Sequence, residues 1–396
     1  MSARQYLHAV LFGVLPTILA LTAAGAAEPA PPVGHVFVIV LENEGYEQTF
    51  GPQSPAPYLA RTLTAQGALL TQYFGTGHAS LDNYLAMISG QAATPETRAD
   101  CRVFEDFVQT GTAPDGQVVG HGCVYPTTVK TLAEQFAAAS LDWRGYMEDM
   151  GNDPKRGAAT SCGHPAIGAA DLTQRAAADD QYAARHNPFV YFHSIIDGPD
   201  CDRHVVRLDH LPADLESVAS TPAFSFITPN LCHDGHDEPC RNGEHGGLES
   251  ADDFLKQWVP VITNAPAFKR DGLLIVTFDE SDATSRTTKL DGGMVVTYSG
   301  ASCCNQRPGP NLGAFPQRNS YKSNDYVTQS FGGDRIGAVL ISPFIAPGAV
   351  STVGYNHYSM LRSIEDLFHL DGHLGYAGQD GLTGFGADIF STPPAR

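Results

Sequence analysis

The stretch VFVIVLENEGY (Val36–Tyr46) sets the fold class of this chain, because it joins an apolar run to a polar turn. Its six apolar residues in succession predict a strand covered on both faces, as in a parallel sheet. The run stops at Glu42 and Asn43, a carboxylate and an amide. Open α/β sheets bind ligands beyond the carboxyl ends of their strands, so this strand end is a candidate site.

Similar apolar runs recur along the chain, and helical patterns separate them. We predict strands at 35–41, 189–195, 223–228, 272–278 and 336–342. We predict helices at 57–67, 80–90, 129–141, 250–265 and 356–370. This alternation predicts an α/β fold with a mostly parallel sheet flanked by helices on both faces. The segment 301–333 is rich in Gly, Pro, Asn and Ser and predicts a loop excursion or lid.

Composition and charge narrow the class of protein. The chain has 396 residues, a hydrophobic fraction of 42% and a net charge of -19. The first two values are those of a globular protein, and the acidity excludes a nucleic-acid partner and electrostatic docking on anionic lipid.

The amino-terminal segment predicts export. Residues 1–27 combine Arg4, an apolar run and a small-residue end, as in a cleaved signal peptide. A membrane anchor is the alternative, but His8, Gly13 and Pro16 interrupt the run. We therefore expect a secreted or periplasmic protein without a stable membrane anchor, in which residues 28–396 form a single domain.

The eight cysteines of an exported chain predict disulfides. Local pairing favours three bridges, and the spacing alone does not fix them: Cys101–Cys123, Cys162–Cys201 and Cys232–Cys240. Cys303 and Cys304 are adjacent, so they form either a vicinal bridge or a pair of thiols with separate partners.

Two of the predicted strands end in acidic pairs. Glu42 and Asn43 follow the first strand, and Asp279 and Glu280 follow the fourth. Each pair alone is typical of a solvated turn. Three carboxylates at one sheet edge would repel one another unless a cation lay between them, so together they predict a metal site.

A candidate nucleophile begins the second predicted helix. Ser80 is its capping serine, His78 precedes it by two residues, and Asn83 follows one turn later. The N–H groups of a helix N-terminus favour an anion, and a metal would activate the serine hydroxyl. The Asn83 amide could then donate to a phosphoryl oxygen. The alternative is a plain helix cap.

Histidines in two polar segments complete the set of candidates. His233, Asp234 and His236 lie between Cys232 and Cys240, where they could bind phosphate or a second metal or supply a general acid. A Cys/His zinc site is the alternative there, and a polar surface loop is the simplest one. His357 opens the last predicted helix and is a phosphate or metal candidate, or a solvent-facing helix start.

Taken in order, these segments resemble the bacterial phosphoesterase family of acid phosphatases and phospholipases C, which has an alkaline phosphatase-like core. The nearest branch is similar to secreted mycobacterial-type acid phosphatases that can act on phosphoinositides. The resemblance rests on the motifs LEN, HASLDNYLAMISG, FITPNLCHDGHD, ADDFLKQWVP, VTFDESD and RIGAVLISPF.

The resemblance implies a role for each matched residue. One metal ligand set would comprise Glu42, Asn43, Ser80, Asp279 and Glu280, with Ser80 as the nucleophile. Phosphate contacts or a second metal would fall to His78, His233, Asp234, His236 and His357. Two-metal relatives have a histidine where this chain has Glu280, which favours one divalent ion here. Its identity stays open among Ca²⁺, Mg²⁺, Mn²⁺, Zn²⁺ and Fe.

The expected function is hydrolysis of phosphomonoesters through a phosphoserine, with His236 or His357 protonating the leaving alkoxide. The substrate would be a small phosphorylated molecule, including a phosphoinositide or another phospholipid headgroup. A phospholipase C-type phosphodiesterase is the alternative, because the same core serves both reactions. A metal-stabilised binding protein without activity is a third reading. The chain has no C/S-x-P-x-R stretch of the kind that supplies a sulfatase nucleophile.

Overall fold

The structure is a computed structural model that describes residues 31–282, 285–290, 293–321 and 324–391. The predicted signal peptide, residues 1–27, lies outside these ranges. Within them, no helix has both the length and the apolar character needed to cross a bilayer.

Short strands and helices alternate along the described chain. The strands are β1 His35–Leu41, β2 Ala68–Leu70, β3 Tyr73–Phe74, β4 Val108–Thr112, β5 Val118–His121, β6 Trp143–Met147, β7 Val205–Arg207, β8 Phe224–Thr228, β9 Gly272–Phe278, β10 Ser285–Leu290, β11 Gly293–Tyr298, β12 Gln317–Tyr321, β13 Asn324–Thr328, β14 Ala338–Ile341, β15 Ala349–Ser351 and β16 Tyr355–Asn356. The α-helices are α1 Tyr46–Phe50, α2 Thr64–Gln66, α3 Ser80–Ser89, α4 Leu132–Ala138, α5 His193–Ile196, α6 Cys201–His204, α7 Leu211–Asp214, α8 Gly247–Asn264, α9 Pro266–Asp271 and α10 His357–Leu367. A π-helix, Tyr58–Leu63, leads into α2, and several 3-10 turns join the rest.

The central sheet has eight strands in the order β15-β2-β14-β9-β1-β8-β6-β7. Strands β9, β1, β8, β6 and β7 run parallel to one another, and β14 is antiparallel to both β9 and β2. Every residue of β1 and β9 is buried, so both faces of the sheet centre are covered. The predicted α/β class with a mostly parallel sheet is therefore confirmed.

A second, four-stranded sheet has the order β10-β11-β13-β12. The segment 301–333, which we predicted as a loop excursion or lid, has no helix or strand over 301–316, but β12 and β13 lie within its second half. Strands β10, with the sequence SRTTKL, and β12, with the sequence QRNSY, are largely polar, so they lack the apolar run of a core strand. We refer to β10–β13 as the small sheet.

The predicted strand at 189–195 is wrong. Residues Pro188–Tyr191 form a 3-10 turn and His193–Ile196 form a short helix. The aromatic side chains of Phe189, Tyr191 and Phe192 are fully buried, which accounts for the apolar run without a strand. A short apolar run does not distinguish a buried strand from a buried turn of helix.

Four disulfides stabilise the loops around the sheet. The predicted bridges are confirmed: Cys101–Cys123, Cys162–Cys201 and Cys232–Cys240. Of the two alternatives for Cys303 and Cys304, the structure has the vicinal bridge.

Candidate active site

Strand register brings the two acidic strand ends together. In the parallel β1–β9 pair, Leu41 lies opposite Phe278, so Glu42 and Asp279 leave the sheet side by side. The amide of Asp279 donates to the carbonyl of Leu41 at 2.9 Å. The Asp279 Oδ1 accepts from the amides of Asn43, at 3.1 Å, and Glu280, at 2.6 Å. The carboxyl edge of the sheet thus holds the acidic cluster that we predicted from the residues at the strand ends.

The carboxylates of this edge are buried and mutually repulsive. Burial, followed by the charges of Asp279 and Asp234, raises the pKa of Glu42 well above its usual range. Burial raises the pKa of Asp279 to about 6, and burial and the Asp279 charge raise that of Glu280. Within the described chain, Glu42 Oε1, Asp279 Oδ2 and Glu280 Oε2 make no hydrogen bond. Oxygen donors of this kind fit a divalent cation, which would offset their repulsion.

The Ser80 hydroxyl faces this cluster. Ser80 is the first residue of α3, and its Oγ donates to Glu42 Oε2 at 2.8 Å. The Ser80 residue is only 4% exposed. Every residue of α3 is buried, so the helix is a fixed support for the serine. The hydroxyl therefore lies at a helix N-terminus and against a carboxylate, as the sequence led us to expect of a nucleophile.

Asn83 has a different role from the one we expected. Its Oδ1 accepts from the Thr76 amide at 2.7 Å, the Thr76 hydroxyl at 2.9 Å and the Gly77 amide at 3.1 Å. Its two amide N–H groups donate to the carbonyls of Gly77, at 3.0 Å, and Ala79, at 3.1 Å. Both donors of the side-chain amide are therefore used within the loop, and Asn83 positions the loop before Ser80 rather than donating to a phosphoryl oxygen.

His186 joins the site although our sequence reasoning did not single it out. Its Nε2 lies 3.3 Å from Glu42 Oε1, and its Nδ1 lies 3.2 Å from Asp234 Oδ2. Its ring is buried and stacks on Tyr84, with ring centres 5.2 Å apart and planes 5° apart. His186 lies in a 3-10 turn within RHNP, where no periodic pattern marks it. In the sequence, His186 lies three residues before the apolar run that begins at Phe189.

Within the segment 232–240, Asp234 and His236 lie at the candidate site, whereas His233 does not. The Glu42 amide donates to the Asp234 carbonyl at 2.7 Å, and burial raises the Asp234 pKa to about 7. Next to it, the Nδ1 of His236 lies 2.7 Å from Asp237 Oδ1, and its Nε2 lies 3.3 Å from Arg185 Nη2. Burial lowers the pKa of His236, but Asp237 and Asp234 outweigh burial and raise it.

His233 and His357 do not reach the Ser80 hydroxyl. His233 lies between Glu148, at 2.9 Å, and Glu244, at 3.0 Å. His357 is fully buried behind Asp279: its Nε2 lies 2.6 Å from the Asp279 carbonyl and its Nδ1 lies 3.2 Å from the Tyr73 hydroxyl. Burial lowers the His357 pKa to about 4. The geometry thus gives His357 the task of fixing the Asp279 backbone, instead of the acid or phosphate contact we expected.

His78 lies on the opposite side of the site. Its Nδ1 is 3.2 Å from Glu280 Oε2, and its Nε2 is 3.2 Å from Asp334 Oδ2. Both partners are acidic, so the His78 ring links two carboxylates next to the candidate metal ligands.

One closely spaced set of potential metal-ligand atoms occurs among the described residues. Three ligand atoms mutually within 4.8 Å occur at Cys232, Cys240 and Glu244, but both cysteines are in a disulfide and cannot act as thiolate ligands. In the described chain, no three ligand atoms around Glu42 approach one another that closely. The zinc site considered for Cys232 and Cys240 is thereby excluded, and the acidic edge remains the candidate metal centre.

Proteins of known function are similar in sequence to this chain. A 28% identical relative over 284 residues is a phosphate-repressible acid phosphatase of Penicillium chrysogenum, covering 69% of this chain and 57% of the relative. A phosphatidylinositol-3-phosphatase of Mycobacterium tuberculosis is 26% identical over 290 residues, covering 72% of this chain and 78% of the relative. The chain spans about half the length of the first fungal and yeast acid phosphatases that it matches.

A solved protein of the alkaline phosphatase superfamily from Vibrio parahaemolyticus aligns with 87% of this chain and 68% of its own, at 12% identity and a TM-score of 0.48. A TM-score of that size does not by itself establish a shared fold. A model of the phosphoesterase family, in contrast, matches residues 53–371, which is most of the chain. The chain therefore belongs to the phosphoesterase family.

Proposed function

We propose that the protein is a secreted, metal-dependent phosphatase that hydrolyses phosphomonoesters through a phosphoserine intermediate. One observation carries the proposal: the Ser80 Oγ, at the amino end of α3, lies 2.8 Å from the carboxylate that ends β1. A hydroxyl oriented by a carboxylate at a helix N-terminus is suited to attack an anionic phosphoryl group.

The residues of the acidic edge would hold one divalent cation: Glu42, Asn43, Ser80, Asp279 and Glu280. When bound, the ion would lower the pKa of the serine hydroxyl and offset the charge of the phosphoryl oxygens. The buried carboxylate oxygens without partners in the described chain support this set. Oxygen ligands favour Ca²⁺, Mg²⁺ or Mn²⁺, and His186, at 3.3 Å from Glu42, also admits Zn²⁺ or Fe.

The chain's own groups account for the proton and bond changes. Ser80 Oγ forms a bond to phosphorus while the bond from phosphorus to the alcohol oxygen breaks. Glu42 orients the Ser80 hydroxyl and accepts its proton as the bond to phosphorus forms. His236, a third of whose side chain is exposed at this edge, donates a proton to the leaving alkoxide. Water then hydrolyses the phosphoserine and releases phosphate.

The substrate and the location of the protein are parts of the same proposal. The relatives named as acid phosphatases support a small phosphorylated substrate, and the relative named as a phosphatidylinositol-3-phosphatase supports a phosphoinositide headgroup. The four disulfides support an oxidising compartment outside the cytoplasm.

The variant Ser80→Ala tests the proposal. We expect it to abolish phosphate release, while the melting temperature stays close to that of the parent. Ser89→Ala is the matched control, because Ser89 ends the same helix and its hydroxyl bonds the Leu85 carbonyl at 2.6 Å. Mass spectrometry of the acid-quenched parent enzyme should detect phosphate on the peptide that contains Ser80.

The same assay separates the reaction classes and the metal requirement. A chromogenic monoester should be hydrolysed faster than the corresponding diester, and chelation should stop turnover until a divalent cation is added back. Near-normal activity of Ser80→Ala would refute the assigned nucleophile. A faster reaction with the diester would favour the phospholipase C-type activity instead.

A further inference from the structure

A cavity adjoins the candidate active site on the side of His78. It has a volume of about 230 Å³ and lies between the loop before α3 and the small sheet. Its walls include His78, Arg98, Tyr298, Thr328 and Phe331. His78 belongs to both places, since its Nδ1 is 3.2 Å from the Glu280 carboxylate. The cavity and the acidic edge therefore share one side chain, that of His78.

Arg98 is the cationic group of this cavity, and most of its bonding capacity is unused. A guanidinium has five N–H donors. In the described part of the chain, one hydrogen bond engages them, from Nη1 to Gln317 Oε1 at 3.1 Å. No carboxylate of the described residues lies within 4.0 Å of it, although Asp82 is near enough for the Arg98 charge to act on its pKa. An arginine in this state is a ready partner for a phosphate or carboxylate.

The other residues that line the cavity leave Arg98 as the group that would bind an anion. His78 lies between Glu280 and Asp334, each 3.2 Å away, so the wall nearest the acidic edge repels additional negative charge. Tyr298 and Phe331 supply aromatic surface to the cavity, and Thr328 supplies a hydroxyl. The cavity therefore combines a cationic group with aromatic surface, a pattern that suits a carbon framework bearing an anion.

We propose that this cavity is a substrate subsite in which Arg98 binds a second phosphate on the alcohol portion of the substrate. The inference rests on the proposed phosphatase function and gives it a substrate class: phosphomonoesters that carry another phosphate group away from the scissile one. A free phosphate and the diester phosphate of a lipid headgroup offer the same chemistry to the guanidinium.

Two substrate pairs test the subsite, and in each pair one member carries a second phosphate that the other lacks. The soluble pair is hexanediol bisphosphate and hexanediol monophosphate. The headgroup pair is a water-soluble, short-chain phosphatidylinositol monophosphate and the inositol monophosphate, which lacks the diester phosphate together with its diacylglycerol. We expect the parent enzyme to favour the bisphosphorylated member by at least roughly tenfold in kcat/KM, after correction for two equivalent ends in the diol. In Arg98→Gln this ratio should fall to about one, and Arg98→Lys should keep part of it.

Gln317→Ala is the matched control. It removes the hydrogen bond to Arg98 without removing the charge, so the preference should persist. A preference in the diol pair assigns the subsite to a free phosphate, and a preference in the headgroup pair alone assigns it to a lipid diester. The subsite is overturned if the parent hydrolyses every monoester without preference, if Arg98→Gln keeps the preference, or if Gln317→Ala abolishes it. Failure of the parent to hydrolyse any of the four would overturn the phosphatase function itself.

Discussion

Asn83 illustrates how one buried side chain can fix the backbone of a reaction site. It is fully buried, and its amide group makes five hydrogen bonds to the loop that precedes Ser80. The loop has no regular structure of its own, so these bonds replace the ladder that a strand or helix would supply. Removing the amide would leave buried backbone groups without partners, which costs more than the lost bonds alone.

We therefore expect Asn83→Ala to lower the free energy of unfolding by about 2–4 kcal/mol, together with a loss of activity. Urea denaturation would measure the change. Asn242→Ala is the comparison, because Asn242 is exposed and bonds only Glu244 among the described residues, and it should change stability by less than about 0.5 kcal/mol. A variant Asn83→Ala with parental stability and no activity would instead indicate a direct contact with substrate.

Some residues of the candidate site could be predicted from the sequence, and others could not. Glu42 and Asp279 were predictable because they directly follow two apolar runs, and neighbouring parallel strands end at one edge. Ser80 was predictable from the start of a helix pattern. The difference between His186, which reaches Glu42, and His357, which lies behind Asp279, depends on long-range packing. No local pattern carries that information.

Helix α3 is the element on which the site depends most. It carries Ser80 at its first turn and ends at Gly90, whose φ is 65°. This left-handed residue closes the helix, as a C-cap glycine does. A Cβ at this position would lie 2.0 Å from the carbonyl oxygen of Leu374, so the segment after α10 packs directly on the helix end. The helix is thus fixed at both ends by parts of the chain far away in sequence.

Gly90→Ala should therefore destabilise the protein by two effects, the strained φ and the clash with Leu374. Gly168→Ala isolates the first effect, because Gly168 has a φ of 81° and nothing within 4 Å of its would-be Cβ. We expect Gly168→Ala to lower the free energy of unfolding by about 1 kcal/mol, and Gly90→Ala to lower it by at least about 1 kcal/mol more. Equal losses in urea denaturation would show that the contact with Leu374 relaxes freely.

At the scale of elements, the sequence predicted the strands that form the sheet centre and missed those outside it. Runs such as 35–41 and 272–278 are apolar throughout because both faces are buried. Strand β6, with the sequence WRGYM, mixes polar and apolar residues and gave no such signal. Strands β10 and β12 of the small sheet are polar for a different reason, because most of their described side chains contact solvent. An unbroken apolar run, rather than the strand state itself, made a strand predictable.

The protein has acidic groups in its interior as well as on its surface. The net charge is -19, and several carboxyl groups are buried with raised pKa values. Those at the candidate site would be offset by a cation. Glu365 in α10 is a separate case, because it lies away from that edge and its Oε1 accepts from the Leu374 amide at 2.8 Å. Burial raises the Glu365 pKa to about 8, against the lowering effect of that bond.

This pKa makes the stability of the whole protein depend on pH. The folded state keeps Glu365 protonated up to about pH 8, whereas the unfolded chain releases the proton near its ordinary value, about 4.3. Between these values the unfolded state binds fewer protons, so the free energy of unfolding falls as pH rises. We expect urea denaturation to show higher stability at about pH 5 than at about pH 8. Glu365→Gln should flatten this dependence, because the amide stays neutral throughout.

The acidic edge also contributes to the pH dependence of the free energy of unfolding, and a divalent cation should remove that contribution. Added to the parent protein, it should raise stability most at about pH 8, where the edge carboxylates are ionised and bind it. The Glu365 contribution should remain, since no metal is expected there. The difference in the free energy of unfolding between the parent and Glu365→Gln should therefore be the same with the cation as with a chelator. A difference that disappears with the cation would mean that Glu365 and the acidic edge are coupled through α10 and α3, which pack against each other.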